Sequence, residues 1–169
     1  MLEQIVQFDY AVSGGLQRIR AIYGAGWHDW LFWFFAVSVI VAILAVVYYY
    51  WFIKKDRFTV YATVYGSIIL FALIEAVKRL VARARPDGSD YLSFPSRHTA
   101  LALYLALVLP VGLPARVLLL GWAFLVGFSR LWLQDHFVSD VVAGAGFGAV
   151  GAWLTLKYEK KIKQKLKIK

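Results

Sequence analysis

Residues 31–53 read LFWFFAVSVIVAILAVVYYYWFI, 23 residues without a charge. An α-helix rises about 1.5 Å per residue, so this stretch is long enough to cross the ~30 Å hydrocarbon core of a bilayer. Trp27, Trp30 and Trp33 mark one end of it, and Tyr48, Tyr49, Tyr50 and Trp51 mark the other. Amphipathic aromatic rings collect at the two membrane–water interfaces. The whole chain fits this reading: 61% of its 169 residues are hydrophobic and only 17% are charged. Soluble domains are roughly half apolar and a quarter charged. A soluble globular enzyme, a disordered tail and a disulfide scaffold are therefore excluded, and the absence of cysteine removes any thiolate chemistry.

Towards the C-terminus, Lys54-Lys55-Asp56-Arg57 form a polar turn, and a second span runs over 58–81, with Glu75 and Lys78 near its far end. A polar loop covers 83–95. A third span is expected over 96–113, a fourth over 115–133 with Arg130 near its end, and a fifth over 136–158 with Asp140 one turn in. Pro110, Gly112 and Pro114 mark the turn between spans three and four. Residues 159–169 form a basic tail. Towards the N-terminus, Ile5, Phe8, Val12, Leu16 and Ile19 recur at helical spacing over residues 2–22. That pattern predicts an amphipathic helix at the membrane surface, bent or broken at Gly14-Gly15. Glu3 and Asp9 argue against a signal peptide. The expected fold is an all-α integral membrane protein, one domain of about five transmembrane helices plus an N-terminal interfacial helix.

The loops set an orientation. The 54–57 turn, Arg116, Lys157 and the tail carry eleven of the 19 basic residues on one side, which the positive-inside rule makes cytoplasmic. The remaining eight lie on the opposite side, but not at random. Lys78, Arg85, Ser96, Arg97, His98, Ser129, Arg130, His136 and Asp140 all fall at the outer ends of spans two to five. Ionisable groups inside a membrane are costly and mark function by default. Four span ends on one surface can converge on one pocket.

Such a pocket suits a phosphate. Arginine presents a planar fork to phosphate oxygens and lysine a point charge. Ser96 follows Pro95 where the third span starts, and a helix N-terminus favours a bound anion. His136 and Asp140 are four residues apart and share a helix face. Asp140 can fix the imidazole tautomer and leave the other ring nitrogen as a nucleophile. His98 can protonate a departing oxygen and then activate water.

These residues carry a resemblance. Lys78 through Arg85-Pro86 matches Lys-x6-Arg-Pro. Pro95-Ser96-Arg97-His98 matches Pro-Ser-Gly-His in three of four places. Ser129-Arg130, His136 and Asp140 match Ser-Arg-x5-His-x3-Asp. With these signatures in order, the sequence resembles the type 2 phosphatidic acid phosphatase superfamily over about residues 31–158. The resemblance implies a lipid phosphate phosphatase of the bacterial inner membrane, with its site on the extracytoplasmic face. It implies His136 as a nucleophile forming a phosphohistidine, Asp140 orienting it and His98 as general acid and base. Lys78, Arg85, Ser96, Arg97 and Arg130 would hold the phosphoryl group, with no metal or other cofactor. Position 97 departs from the family glycine and adds charge at the mouth, and the short 86–95 segment leaves that mouth open. Both lean towards undecaprenyl pyrophosphate as substrate, with lipid A 1-phosphate next, then phosphatidylglycerophosphate or phosphatidic acid.

Other readings are weaker. An anion channel or transporter would distribute its cations through the membrane depth. A soluble vanadate-dependent haloperoxidase shares the motifs but not the apolar composition. Gly146–Gly151 spells GxGxxG inside an apolar span with no preceding strand, so it is no dinucleotide loop; Gly144 and Gly148 instead suit close helix packing. His28, among Trp27, Asp29 and Trp30, is interfacial, and Glu75 neutralises a nearby cation. Nucleic acid is not an expected partner. The basic tail is expected to meet anionic lipid head groups.

Overall fold

A computed structural model describes residues 2–23 and 26–166, which form seven α-helices and no strand. In chain order they are α1 (Leu2–Tyr23), α2 (Trp27–Tyr48), α3 (Arg57–Val81), α4 (Arg97–Val108), α5 (Leu113–Trp132), α6 (Val138–Lys157) and α7 (Glu159–Leu166). Four segments are long and apolar enough to cross a membrane: 28–53, α3, α5 and α6. The first of these adds a single π-helical turn, Tyr49–Ile53, to the end of α2.

The expected third span is shorter than its sequence suggests. Helix α4 has 12 residues, against the expected stretch of 96–113. Leu109 turns extended with ψ 134° because the residue before a proline is driven out of the helical region, and Pro110 has no N–H to continue the ladder. What α4 lacks in length it makes up in burial. Ala100, Ala102, Leu105 and Ala106 are each at most 1% exposed, and Tyr104 is 1% exposed. It sits at the centre of the bundle, packed on α6 and α5 and then on α3.

Two glycines allow that contact. A Cβ on Gly144 would overlap the Ser96 carbonyl oxygen, and one on Gly148 would overlap that of Ala100. The α4–α6 seam is thus backbone against side-chain-free backbone, as small residues permit in membrane bundles. Gly146 faces open space.

At the other end, Arg116 of α5 donates to the carbonyls of Ala106 (2.8 Å), Leu107 (2.6 Å) and Leu109 (2.8 Å). These are carbonyls that the end of α4 cannot pair internally. Asp56 caps α3, accepting from the N–H of Thr59 at 3.2 Å. Lys163 of α7 lies 4.9 Å from the Phe58 ring centroid, so the tail helix and the 54–57 turn share one end of the bundle. Lys167 and Lys169 fall outside the described residues.

Helix α1 is continuous through Gly14 and Gly15, so the expected break there does not occur; both glycines face open space. Its polar residues are not all on the outer side. It packs on α5 and α6, and two polar residues point inward, Asp9 (1% exposed) and Ser13 (9%). Ile5, Phe8, Ile19 and Ile22 face outward.

Candidate active site

The ends of α3 and α5 and the starts of α4 and α6 meet on a polar cavity of about 140 Å³, opposite the end that holds α7. Its walls are Glu75, Lys78, Arg85, Leu92, Arg97, His98, Asp135 and His136. Five of the eight sequence-selected site residues therefore line one space. The other three stand just behind it: Arg130 reaches the cavity through Asp135, while Ser96 and Asp140 are fully buried.

Two of the cations, Lys78 and Arg85, are held by the loop after α3. Ala82 closes that helix in the left-handed region (φ 46°), with its N–H on the Lys78 carbonyl at 2.9 Å. The chain then folds back on itself through Ser93 N–H to Arg83 O (3.0 Å) and Arg85 N–H to Asp90 O (3.0 Å). This aims the Lys78 ammonium at the carbonyls of Leu92 and Ser93. Arg85 donates to Asp90 at 2.8 Å and to Asp135 at 3.1 Å. Partial desolvation would raise the Asp90 carboxyl, but the Leu92 N–H and the Arg85 guanidinium outweigh it and hold it below the usual carboxylate range.

Arg97 opens α4 beside His98. Its guanidinium pairs with Glu75 at 2.7 Å and lies 4.8 Å from the Phe71 ring centroid. Glu75 thus has the neutralising role expected of it, with Arg97 as the partner. Ser96 accepts a hydrogen bond from the Thr99 hydroxyl at 2.9 Å and passes its own N–H to the Asp140 carbonyl at 2.9 Å, so its hydroxyl is turned into the α4–α6 seam and not into the cavity. Ser129 likewise bonds within α5, to Val126 O at 2.7 Å. The first turn of α4 adds N–H groups without intrahelical acceptors and the positive end of a helix dipole to the cavity wall.

His136 sits in the connection between α5 and α6, outside the spanning helices, and is 5% exposed. Burial pushes its imidazole below the ordinary range, against the opposing pull of the Asp140 carboxylate. The expected direct hydrogen bond between the two is not formed: Nδ1 stands 3.8 Å from Asp140 Oδ2, beyond hydrogen-bond reach, and Nδ1 has no other partner among the described residues. The Asp140 carboxylate is held by three other donors. It accepts from the Phe137 N–H (2.8 Å), the Ser93 hydroxyl (2.5 Å) and Arg83 (2.7 Å).

Two contacts were not anticipated from the sequence. Arg83, two residues ahead of Arg85, reaches back to Asp140. Asp135, immediately before His136, places its carboxylate between Arg85 and Arg130, where an oxyanion would be held. Arg130 Nε has no partner among the described residues, so its fork retains donor capacity. The only signal in the sequence was position, a charge directly beside His136 for Asp135 and one two residues from Arg85 for Arg83.

An apolar groove of about 520 Å³ runs from this site between α2 and α3. Val39, Ile43, Val47, Val64, Ile68 and Leu101 line it, and Arg97 and His98 close its polar end.

Fold and cavity together define a helical membrane protein with a cation-lined site at one end of its bundle. The chain belongs to the PAP2 superfamily, which it matches over residues 59–164. The decaprenylphosphoryl-5-phosphoribose phosphatase of Mycobacterium tuberculosis is 36% identical over 99 residues, covering 52% of this chain and 54% of that one. The lipid A 1-phosphatase of Porphyromonas gingivalis is 31% identical over 99 residues, 53% of this chain and 22% of that one. The chain thus spans about half or less of the length of these curated relatives. Among solved structures, Aquifex aeolicus LpxE superposes with a TM-score of 0.68 at 27% identity, over 85% of this chain and 94% of that one. The first transmembrane PAP2-type phosphatidylglycerolphosphate phosphatase from Bacillus subtilis gives 0.77 at 23% identity, over 95% and 88%; that likeness is one of fold.

Proposed function

We propose that this protein is a membrane phosphatase that hydrolyses a lipid phosphate through a phosphohistidine. The observation that carries the reading is the junction of two spaces at Arg97 and His98: a small polar cavity ringed by cations, and an apolar groove open to the bilayer. An amphiphile fits both at once, phosphate in the first and tail in the second.

Lys78, Arg85, Arg97 and Arg130 hold the phosphoryl oxygens, displacing Asp135, and stabilise the charge that spreads over them in the transition state. His136 turns Nδ1 towards Asp140 and attacks phosphorus with Nε2. The bond from phosphorus to the leaving oxygen breaks, and His98 delivers a proton to that oxygen. In the second half, His98 takes a proton from water, the water oxygen attacks phosphorus, and inorganic phosphate leaves as the His136 ring is restored. The first candidate substrate is undecaprenyl pyrophosphate; the polyprenyl chain in the name of the mycobacterial relative supports a polyprenyl tail. Lipid A 1-phosphate is the second candidate, on the named activity of the Porphyromonas relative. We place the protein in the bacterial inner membrane as one domain. The cavity faces outward, and the α7 tail lies in the cytoplasm against anionic lipids.

The test is phosphate release in detergent micelles from undecaprenyl pyrophosphate, lipid A, phosphatidylglycerophosphate and phosphatidic acid, with and without EDTA. The expected result is release that EDTA leaves intact and that His136→Ala abolishes. Undiminished release by His136→Ala would overturn the mechanism.

A further inference from the structure

Helix α1 lies outside the matched residues 59–164, yet it reaches the site. Its Asp9 is 1% exposed, and a carboxylate removed from water needs a countercharge and hydrogen-bond donors. It has both: Arg83 Nη2 at 2.8 Å, the Ser139 N–H at 3.0 Å, and the Ser139 hydroxyl. The other arm of the same guanidinium, Nη1, donates to Asp140 at 2.7 Å and to the Ser139 hydroxyl at 2.6 Å. The guanidinium carbon lies 4.3 Å from the Phe137 ring centroid. Arg83 is therefore a rigid fork clamped between two buried carboxylates, one from α1 and one from α6.

We propose that Asp9 is a positioning residue for the reaction, fixing the Asp140 carboxylate through Arg83 and with it the seat of the His136 ring. Helix α1 is then a working part of the active site and not only a membrane-surface element. The inference rests on the phosphatase reading. Its physical basis is that Asp140 does not reach His136 by a hydrogen bond of its own. The separation of 3.8 Å is set by what holds Asp140 from behind. With Asp9 neutral, Arg83 keeps one carboxylate and is freer to rotate towards the solvent or the phosphate cavity, and Asp140 Oδ1 loses its fixed donor while Oδ2 keeps the Phe137 N–H and the Ser93 hydroxyl.

A merely structural α1 makes a different prediction, because the helix has a second attachment. The Ser13 hydroxyl donates to Gln134 at 2.6 Å, and Tyr10 packs edge-on to Phe137 at 5.1 Å between centroids. Ser13→Ala weakens the seating of α1 without touching Arg83.

The experiment measures kcat and KM of the full chain in micelles on undecaprenyl pyrophosphate and phosphatidic acid, together with the thermal midpoint of each variant. Asp9→Asn is expected to lower kcat about ten-fold or more, the cost of a misplaced reacting group, with KM within about two-fold. Arg83→Lys, which keeps the charge but loses the fork, is expected to do the same. The double variant should be no worse than the poorer single one, since both remove one linkage. Ser13→Ala should leave kcat within about two-fold. Unchanged kcat in Asp9→Asn and Arg83→Lys overturns the inference. So does a loss of activity that tracks the thermal midpoint equally in Asp9→Asn and Ser13→Ala. If Asp9→Asn does not fold, Arg83→Lys and Ser13→Ala decide alone. Inactivity of the unsubstituted chain on undecaprenyl pyrophosphate, lipid A, phosphatidylglycerophosphate and phosphatidic acid alike would overturn the phosphatase reading and this inference with it, a result distinct from normal turnover by the Asp9→Asn and Arg83→Lys variants.

Discussion

Asp135 is the residue at which the resting site most resembles an occupied one. Its carboxylate lies between Arg85 and Arg130, so a phosphate must exchange it for its own oxygens. Asp135→Asn should therefore tighten inhibition by inorganic phosphate, by about ten-fold for one charged hydrogen-bond pair no longer competing; an unchanged or weaker inhibition constant would show that Asp135 assists binding. His136 makes a second prediction at this scale. Burial holds its pKa down, so the neutral, nucleophilic ring persists below the ordinary imidazole value of about 6.5. On the acid side activity should be lost only on passing through the lowered pKa, so the acid limb of kcat/KM should fall below about pH 6.5. That both histidines, Lys78, Arg85, Arg97, Arg130 and Asp140 gather at one end of the bundle was legible from their positions at the expected span ends, although Arg85 and His136 sit in connections and not on helices. The anchoring of Asp140 by Arg83 and the bridging by Asp135 were not, because each depends on how a loop folds back.

The α4–α6 seam is the element that sets the distance between the two histidines. Helix α4 carries His98 and α6 follows directly on His136, and the seam is as close as the carbonyls over Gly144 and Gly148 permit. Gly148→Ala should force the helices apart and cost about 1–3 kcal/mol of stability, read as a fall in thermal midpoint with a loss of activity. Gly146→Ala, which meets open space, should be neutral or slightly stabilising. An equal effect of the two would show that α4 and α6 are not held by this contact. The glycine spacing was visible in the sequence; the partner was not, since a four-residue repeat does not say which helix it receives. The early end of α4 follows from local chemistry at Leu109-Pro110.

The whole molecule separates two kinds of positive charge. One end holds the cavity cations. The other carries the 54–57 turn, Arg116 and α7, of which Arg116 is committed to the carbonyls that end α4. The chain has no cysteine, so single cysteines report topology directly. In intact bacterial cells, a membrane-impermeant thiol reagent should label Gly88→Cys and spare Lys160→Cys until the membrane is opened; the reverse pattern would invert the orientation proposed. By itself, the sequence determined that the protein is a helical membrane protein, where its polar residues cluster and which chemistry they suit. Hydropathy and helical periodicity are local properties, and the cost of burying charge in lipid leaves few places for it. Only the tertiary structure decided that α4 sits at the centre of the bundle, that α1 turns Asp9 inward, and that Arg83 joins Asp9 to Asp140. Those depend on which surfaces meet between segments far apart in the chain, 74 residues for Asp9 and Arg83 and 57 for Arg83 and Asp140, and a buried ion pair is specified by the packing that excludes water from it.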